Sequence, residues 1–147
     1  MAGFYGNKTE LYDFSTDTWT YQEPLPFVET LNSYSTVSMG DSAIIISGFD
    51  DGRIENRIFQ YKDDLWSVVG TLTKPRYMGA SSALTGNTLI VAGGFPEEAF
   101  YEDDYSVEVF DEVCDLQSNG QFICQQTSES RIAWAESFLV PEIFCAK

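Results

Sequence analysis

The sequence predicts an all-β protein built from repeated four-stranded antiparallel units. Two segments of the chain resemble each other, residues 31–49 and 77–95, and each holds a Gly-Asx pair followed by a continuously apolar run. Large aromatic residues also recur in a fixed order along the chain. With 147 residues, of which 44% are hydrophobic and 15% aromatic, the chain is long and apolar enough to build a core.

The two similar segments predict a β-hairpin in each copy. "LNSYSTVSMGDSAIIISGF" (31–49) aligns without a gap on "YMGASSALTGNTLIVAGGF" (77–95), which places Ser35 on Ser81. The Gly-Asp and Gly-Asn pairs favour tight turns, since both residue types tolerate positive φ. The runs "AIIIS" and "LIVAG" are apolar without alternation, which indicates strands covered on both faces.

Markers in a fixed order follow each hairpin. A small-residue pair ends the apolar strand, an aromatic lies in the third strand, and a Trp or Phe lies in the fourth. Stacked repeats need large side chains to fill the joints between them, so we expect a structural rather than a ligand-binding role. The predicted structural residues are Tyr12, Trp19, Gly48, Tyr61, Trp66, Gly93, Gly94, Phe110 and Phe122.

This order of markers resembles the kelch repeat, as in "LIVAGGF", "VEVF", "ELYDFSTDTW" and "LTKPRYMG". The resemblance implies a partial β-propeller, with half a blade in 1–28, whole blades in 29–74 and 75–127, and half a blade in 128–147. The departures indicate a diverged member: Ser47-Gly48 replaces a diglycine, and Phe122 replaces a Trp. Closed propellers use about four to eight blades, so we expect a fragment of a longer protein, or self-association through the open blade edges.

Composition excludes several function classes. Lys and Arg number 8 against 23 Asp and Glu, a net charge of −15, which would repel nucleic acid and anionic membranes. No run of residues has the length or apolar character of a membrane span. The chain has no histidine, which removes the Ser-His-Asp and Cys-His pairs and the usual zinc and copper sites. We therefore expect no catalytic residues, no metal and no cofactor.

Acidic loops predict a binding surface on one face. The segments 48–57 and 94–106 connect second to third strands, and in an alternating blade they emerge with the connections "EPLPFVET" and "GTLTKPRY". A solvated acidic rim without a partner is the alternative. The predicted partner-binding residues are Asp50, Asp51, Arg53, Glu55, Arg76, Glu97, Glu98, Tyr101, Asp103 and Asp104. For Arg76 and Arg131 the resemblance also implies a structural role, hydrogen bonding between neighbouring blades.

The three cysteines leave the redox state open. Cys114 and Cys124 flank a turn near Asn119-Gly120 at similar distances, so they could form a disulfide if the register brings them together. Cys145 would then remain alone. Buried cysteine also serves as a small hydrophobe, and we favour reduced thiols and a cytoplasmic location over an extracellular one.

Three functions are compatible with these features. The resemblance implies a non-catalytic protein-interaction module whose protein partner carries basic groups. A secreted carbohydrate-binding or adhesive module is the alternative, favoured by an oxidised Cys114–Cys124 pair and by glycosylation at Asn7. A glycosidase-like enzyme is a remote third, because it needs two carboxylates in one pocket at about 5 to 10 Å.

Overall fold

The computed structural model describes residues 7–26, 28–96 and 109–130, and the secondary structure within these ranges consists of β-strands alone. This confirms the all-β prediction. No helix in these ranges has the length and apolar character needed to cross a membrane. The strands are β1 Thr9–Asp13, β2 Thr18–Gln22, β3 Ser35–Met39, β4 Ser42–Asp50, β5 Arg53–Lys62, β6 Leu65–Thr71, β7 Ala80–Thr85, β8 Thr88–Ala92, β9 Val109–Leu116 and β10 Phe122–Ser130.

The strands form two sheets. β1 and β2 pair as a two-stranded sheet, the N-terminal hairpin. The other eight strands form one sheet in the order β3-β4-β5-β6-β10-β9-β8-β7, which joins two antiparallel groups, β3–β6 (the first group) and β7–β10 (the second group). The end strands β3 and β7 also contact each other, so the sheet is strongly curled. This is the predicted partial β-propeller.

The strand β4, which lies next to the end strand β3, is covered on both faces, as its apolar run predicts. Ile44 and Ile46 are fully buried in a core cluster that lies between the first and second groups. Ile45 points the other way, into a second cluster with Phe59 and with Leu25 from the segment after β2. Successive side chains of a strand alternate between faces, so one strand supplies both cores.

Two glycines allow the chain to come close to itself at the end of β4 and after β8. Gly48 has φ +115°, and a Cβ there would lie 2.8 Å from the carbonyl oxygen of Asn32. Gly94 has φ +94°, and its Cβ would lie 2.8 Å from the carbonyl oxygen of Tyr77. Only glycine avoids both the strained φ and the clash. The repeat thus preserves glycine for one physical reason in both copies.

The gapless alignment of the two copies is wrong over their first strands. Ser35 pairs with Ile46, whereas the residue that pairs with Ala92, the equivalent of Ile46, is Ala80 and not Ser81. The strand β7 carries a register shift between residues 83 and 85, close to its turn. A bulge adds one residue to one strand. Ser35 therefore corresponds to Ala80, although Ile46 still corresponds to Ala92.

The aromatic markers of the second group also shift. Ala43 pairs with Tyr61, and at the equivalent position Leu89 pairs with Cys114. Tyr61 lies opposite Trp66, as Cys114 lies opposite Cys124. The cysteine pair therefore occupies the place of the Tyr-Trp pair.

The predictions that put Phe110 and Phe122 at that place are wrong. Phe110 lies on β9, four residues before Cys114. Phe122 pairs with Leu116, in a part of the β9–β10 hairpin that has no counterpart in the shorter β5–β6 hairpin. Phe122 is nevertheless a core residue, 5% exposed. The side chain of Phe110 lies outside the described part of the structure.

The extension of β9–β10 joins the two groups. Phe122 and Ile123 pair in parallel with Gly70 and Thr71 of β6. A Cβ on Gly70 would lie 2.9 Å from both the Cβ and the carbonyl oxygen of Phe122. The absence of a side chain at Gly70 therefore permits this contact.

The predicted blade limits stay predictions. The first group falls within 29–74 and the N-terminal hairpin within 1–28, whereas β10 of the second group continues to Ser130, past the predicted limit at 127. Residues 131–147, which make up nearly all of the predicted half blade at 128–147 and include Arg131 and Cys145, lie outside the described residues.

Candidate functional site

The segment predicted as the first acidic loop is the tip of a β-hairpin. β4 continues through Asp50 and β5 begins at Arg53, so only Asp51 and Gly52 form the turn. Both turn residues have positive φ, 42° and 83°, which the Asp-Gly pair tolerates and which matches the twist of paired strands. Asp50, Arg53 and Glu55 therefore lie on paired strands and not in a loop.

The hairpin tip borders a cleft of about 440 Å³, here called the acidic cleft. Its lining residues are Pro26, Val28, Glu29, Asp50, Asp51 and Arg53. Three carboxylates and one guanidinium thus share a small opening, which favours a positively charged ligand group. The structure brings Asp50, Asp51 and Arg53 of the predicted set together at this cleft, and it adds Glu29 from the connection between β2 and β3.

The carboxylate of Asp50 holds this connection in place. Its Oδ1 accepts hydrogen bonds from the backbone N–H groups of Glu29 (3.1 Å) and Thr30 (2.8 Å). Thr30 accepts in turn a bond from the backbone N–H of Asp51 through its Oγ1, at 3.2 Å. Asp50 thus has a structural role, while the carboxylates of Glu29 and Asp51 belong to exposed residues that a partner can reach.

Glu55 is engaged with an arginine beside the cleft. Arg57 Nε and Nη2 lie 2.5 and 2.6 Å from the two carboxylate oxygens of Glu55, a bidentate pair. The hydrogen bond from Arg57 to Glu55 is the main reason that the pKa of Arg57 is raised. Arg57 also lies over the ring of Phe59, 5.2 Å from its centroid. Because Glu55 is committed to this pair, it is a poor candidate for direct partner binding.

Half of the predicted acidic surface cannot be placed. Glu97, Glu98, Tyr101, Asp103 and Asp104 lie outside the described residues. Whether they join the acidic cleft stays a prediction.

The assignment of Arg76 to the partner-binding surface is wrong, because its side chain is fully buried. Its Nη2 lies 2.5 Å from Glu112 Oε1, and its Nη1 donates to the carbonyl oxygen of Gly93 at 3.1 Å. The second oxygen of Glu112, which is buried as well, accepts the backbone N–H of Thr73 at 2.7 Å. Burial lowers the pKa of Arg76, and the charge of Glu112 opposes this shift.

Arg76 also connects the two groups through its backbone. Its carbonyl oxygen accepts the N–H of Gly48, at 3.1 Å, and the hydroxyl of Ser47. Ser47 and Gly48 lie in β4 of the first group, whereas Glu112 lies in β9 of the second. Sequence reasoning missed Glu112, although a glutamate among apolar residues in "VEVFDEV" was an available signal.

The two Tyr-Trp pairs have similar geometry but different surroundings. The ring centroids are 4.9 Å apart for Tyr12 and Trp19 and 5.1 Å apart for Tyr61 and Trp66. Trp66 packs against the second core cluster and donates from Nε1 to Thr9 Oγ1 of β1, at 2.8 Å. Trp19 is 57% exposed. Among the described residues, then, only the Tyr61–Trp66 pair occupies a joint between strand groups.

A second cleft, of about 550 Å³, lies beside Tyr61 and Trp66, between β1 and the first group. Its lining also includes Tyr34, and Thr9 and Leu11 of β1. Burial raises the pKa of Tyr34 and is the main cause of the raised pKa of Tyr61. Most of the lining is apolar or hydroxyl-bearing, and this cleft was not predicted from the sequence.

Cys114 and Cys124 lie opposite each other on β9 and β10, with Cα atoms 3.9 Å apart, and their sulfurs are bonded. Cys114 is fully buried in the core between the two groups. The register thus satisfies the condition under which the sequence allows a disulfide. Within the described ranges no three His, Cys, Asp or Glu side chains are placed so that together they could hold a metal ion.

The comparisons with known proteins bear on the fold alone. No protein-family model matches the chain, and no curated protein matches it either. Among solved structures the chain is similar to YjhT, a β-propeller-type structure, with 23% sequence identity and a TM-score of 0.53. The match covers 62% of this chain and 27% of YjhT, so the chain corresponds to about a quarter of that protein's length. The strand order and this likeness together show that the chain is an all-β protein with the fold of a partial β-propeller.

Proposed function

We propose that this chain is a non-catalytic protein-interaction module of the kelch type, and that its partner binds at the acidic cleft. The observation that carries the proposal is the cleft itself, where Glu29, Asp50 and Asp51 meet a single cation, Arg53. The net charge of −15 extends the same field over the whole chain. A basic partner segment is attracted by this field, and a Lys or Arg side chain fits the chemistry of the opening.

The kelch assignment rests on the recurring small-residue turns and on the Tyr-Trp pairs. Gly48 and Gly94 serve the same close contact in both groups, and Tyr61 lies opposite Trp66. The non-catalytic assignment rests on the absence of histidine from the sequence, which removes the commonest general base near neutral pH. Hairpins on a rigid sheet scaffold are where repeat proteins carry recognition.

The test uses an array of basic twelve-residue peptides as the probe. We expect a subset to bind the chain in a salt-sensitive manner, and Asp51→Asn to weaken that binding about two- to fivefold, as loss of an exposed charge pair does. Asp51 has φ 42°, and asparagine tolerates this conformation, so the variant keeps the turn. Glu29→Gln is expected to weaken binding to a similar extent.

Asp63→Asn is the matched control. Asp63 also lies in a hairpin turn with positive φ, 50°, but at the β5–β6 turn and not among the residues that line the acidic cleft. The control makes the same change of charge in the same backbone conformation. If Asp51→Asn and Asp63→Asn weaken peptide binding equally, the attraction is general to the charge of the chain and does not depend on a site. An array on which no peptide binds would contradict a basic-peptide partner.

The bond between Cys114 and Cys124 supports a second candidate, a secreted carbohydrate-binding or adhesive module. Disulfides persist in oxidising compartments and are rare in the cytosol. Mass spectrometry of the protein purified from its native source without reductant distinguishes the two candidates. A bridged pair together with hits on a glycan array favours the second, and reduced thiols without hits favour the first.

A further inference from the structure

An exposed aromatic face lies on the outer side of the N-terminal hairpin. Tyr12 is paired with Trp19, and Glu10 with Tyr21, so both pairs project from the same side of the two strands. Trp19 is 57% exposed, Tyr21 75% and Phe14, whose ring contacts Tyr12 at 4.8 Å, 90%. Several large rings in contact with solvent on one small surface indicate an interaction site.

The same Tyr-Trp pair is covered where it recurs in the first group. Tyr61 and Trp66 line the cleft beside β1, and Trp66 donates its Nε1 hydrogen bond to Thr9. Thr9 and Leu11 lie on the face of the hairpin opposite to Tyr12, since alternate residues of a strand share a face. One face of the hairpin, with Thr9 and Leu11, therefore covers Tyr61 and Trp66. Tyr12 and Trp19 project from its other face.

The second group repeats this arrangement. The Cys114–Cys124 pair occupies the register position of Tyr61 and Trp66, and Cys114 packs into the core shared with the first group. In both groups, then, this position faces the strands that precede it in the chain. The face of Tyr12 and Trp19 is the one member of the series, among the described residues, that is exposed.

The side of the second group that faces away from the first group, here called the far face, carries apolar side chains like those that cover the cysteine pair. The first group covers the cysteine pair with Ile44 and Ile46, both fully buried. The register equivalent of Ile44 is Ile90, which is only partly buried and lies on the face opposite to the core residue Leu89. The register of β8, β9 and β10 places Ile123, which is 54% exposed, on that same far face.

We propose that a second copy of this chain docks here, with its far face against the aromatic face of the N-terminal hairpin. The contact would extend between molecules the packing that the hairpin already makes on the first group. Tyr and Trp dominate the energy of protein interfaces when they are desolvated. The two surfaces differ, so the interface is heterologous and head to tail, and each copy keeps one surface for a further copy.

The experiment is sedimentation velocity over a range of concentrations on the wild type and on surface variants. We expect concentration-dependent association in the wild type, and an increase in its dissociation constant of about tenfold or more for Trp19→Ser, as for an interface hot spot. Ile123→Ser is expected to weaken association from the other side. Leu65→Ser is the control, since Leu65 is 66% exposed at the β5–β6 turn and belongs to neither surface.

Mixing the two variants provides the decisive measurement. A Trp19→Ser copy keeps its far face and an Ile123→Ser copy keeps its aromatic face, so the mixture is expected to form one-to-one dimers that neither variant forms alone. Far-ultraviolet circular dichroism confirms that each variant is folded, and Tyr21→Ser replaces Trp19→Ser should the latter unfold. A wild type that is monomeric at every concentration overturns the proposal, as does equal weakening by Leu65→Ser or a mixture without dimers.

Discussion

Arg76 and Glu112 form a buried ion pair, so the effects of substituting them on the free energy of unfolding are expected to depend strongly on each other. Both side chains are fully shielded from solvent. Removing one partner leaves the other charge buried and uncompensated, which costs about 3 to 5 kcal/mol. Arg76→Leu and Glu112→Phe are therefore each expected to lower the free energy of unfolding by that amount.

The chain itself indicates the compensating double variant. The bridges Asn32–Phe49 and Tyr77–Phe95 align the two groups, so the residue at the position of Arg76 in the first group is Leu31. Its counterpart for Glu112 is Phe59, and this Leu-Phe pair is buried in the second core cluster. One repeat thus holds an apolar pair where the next holds an ion pair.

The double variant Arg76→Leu with Glu112→Phe should cost far less than the sum of its parts. It removes both buried charges but leaves the N–H of Thr73 and the carbonyl of Gly93 without these partners. Each lost hydrogen bond costs about 1 kcal/mol. We expect a net loss of about 2 kcal/mol or less, against about 6 to 10 kcal/mol if the single effects added.

Urea unfolding monitored by tryptophan fluorescence measures these free energies. Lys62→Met is the control, because it breaks an exposed ion pair, with Asp41 at 3.1 Å, and should lower the free energy of unfolding far less than either single variant. The reasoning is refuted if the double variant loses the full sum of the single losses. It is refuted as well if either single variant is as stable as the wild type.

Three further predictions concern the backbone and the pH dependence. Gly70→Ala should destabilise the protein by about 1 to 3 kcal/mol in urea unfolding, because its Cβ would meet β10 at 2.9 Å, whereas Gly86→Ala, with nothing within 4 Å, should have little effect. Ser47 has φ 62°, so Ser47→Gly should be more stable than Ser47→Ala by about 1 kcal/mol; equal midpoints would contradict this strain. A hydrogen bond from Lys62 is the main cause of the lowered pKa of Asp41, so this pair stabilises the fold above the ordinary aspartate pKa and loses its effect as the pH falls. In an NMR titration Lys62→Met should raise the pKa of Asp41 towards its ordinary value. An unchanged pKa of Asp41 would exclude the lysine as the cause of the shift.

Local pattern was enough to predict the β class, the hairpins and the strand β4 with both faces covered. Gly40-Asp41 forms the turn between β3 and β4, and the run 43–47 forms a strand with both faces covered. These features depend on the conformational preferences and hydrophobicity of neighbouring residues, which are written within a few positions of each other. The partial propeller was what the resemblance to the kelch repeat implied.

The acidic cleft was predictable only in part. Asp50, Asp51 and Arg53 were expected near each other because they are neighbours in sequence. Glu29 joins them because Asp50 bonds the backbone of the preceding connection, a contact between residues 21 positions apart. No local sequence pattern predicts which backbone N–H groups will donate hydrogen bonds to a given carboxylate.

What the sequence alone determined is the repeat and its glycines, because each depends on short-range chemistry that recurs along the chain. The register between strands, in contrast, is set by long-range pairing. It accounts for the extra residue in β7, for the cysteine pair in the place of Tyr61 and Trp66, and for the burial of Arg76 against Glu112. A shift of one residue reverses the face of every side chain in a strand. Pairing between distant strands therefore determines which residues are core and which are surface, and no single segment contains that information.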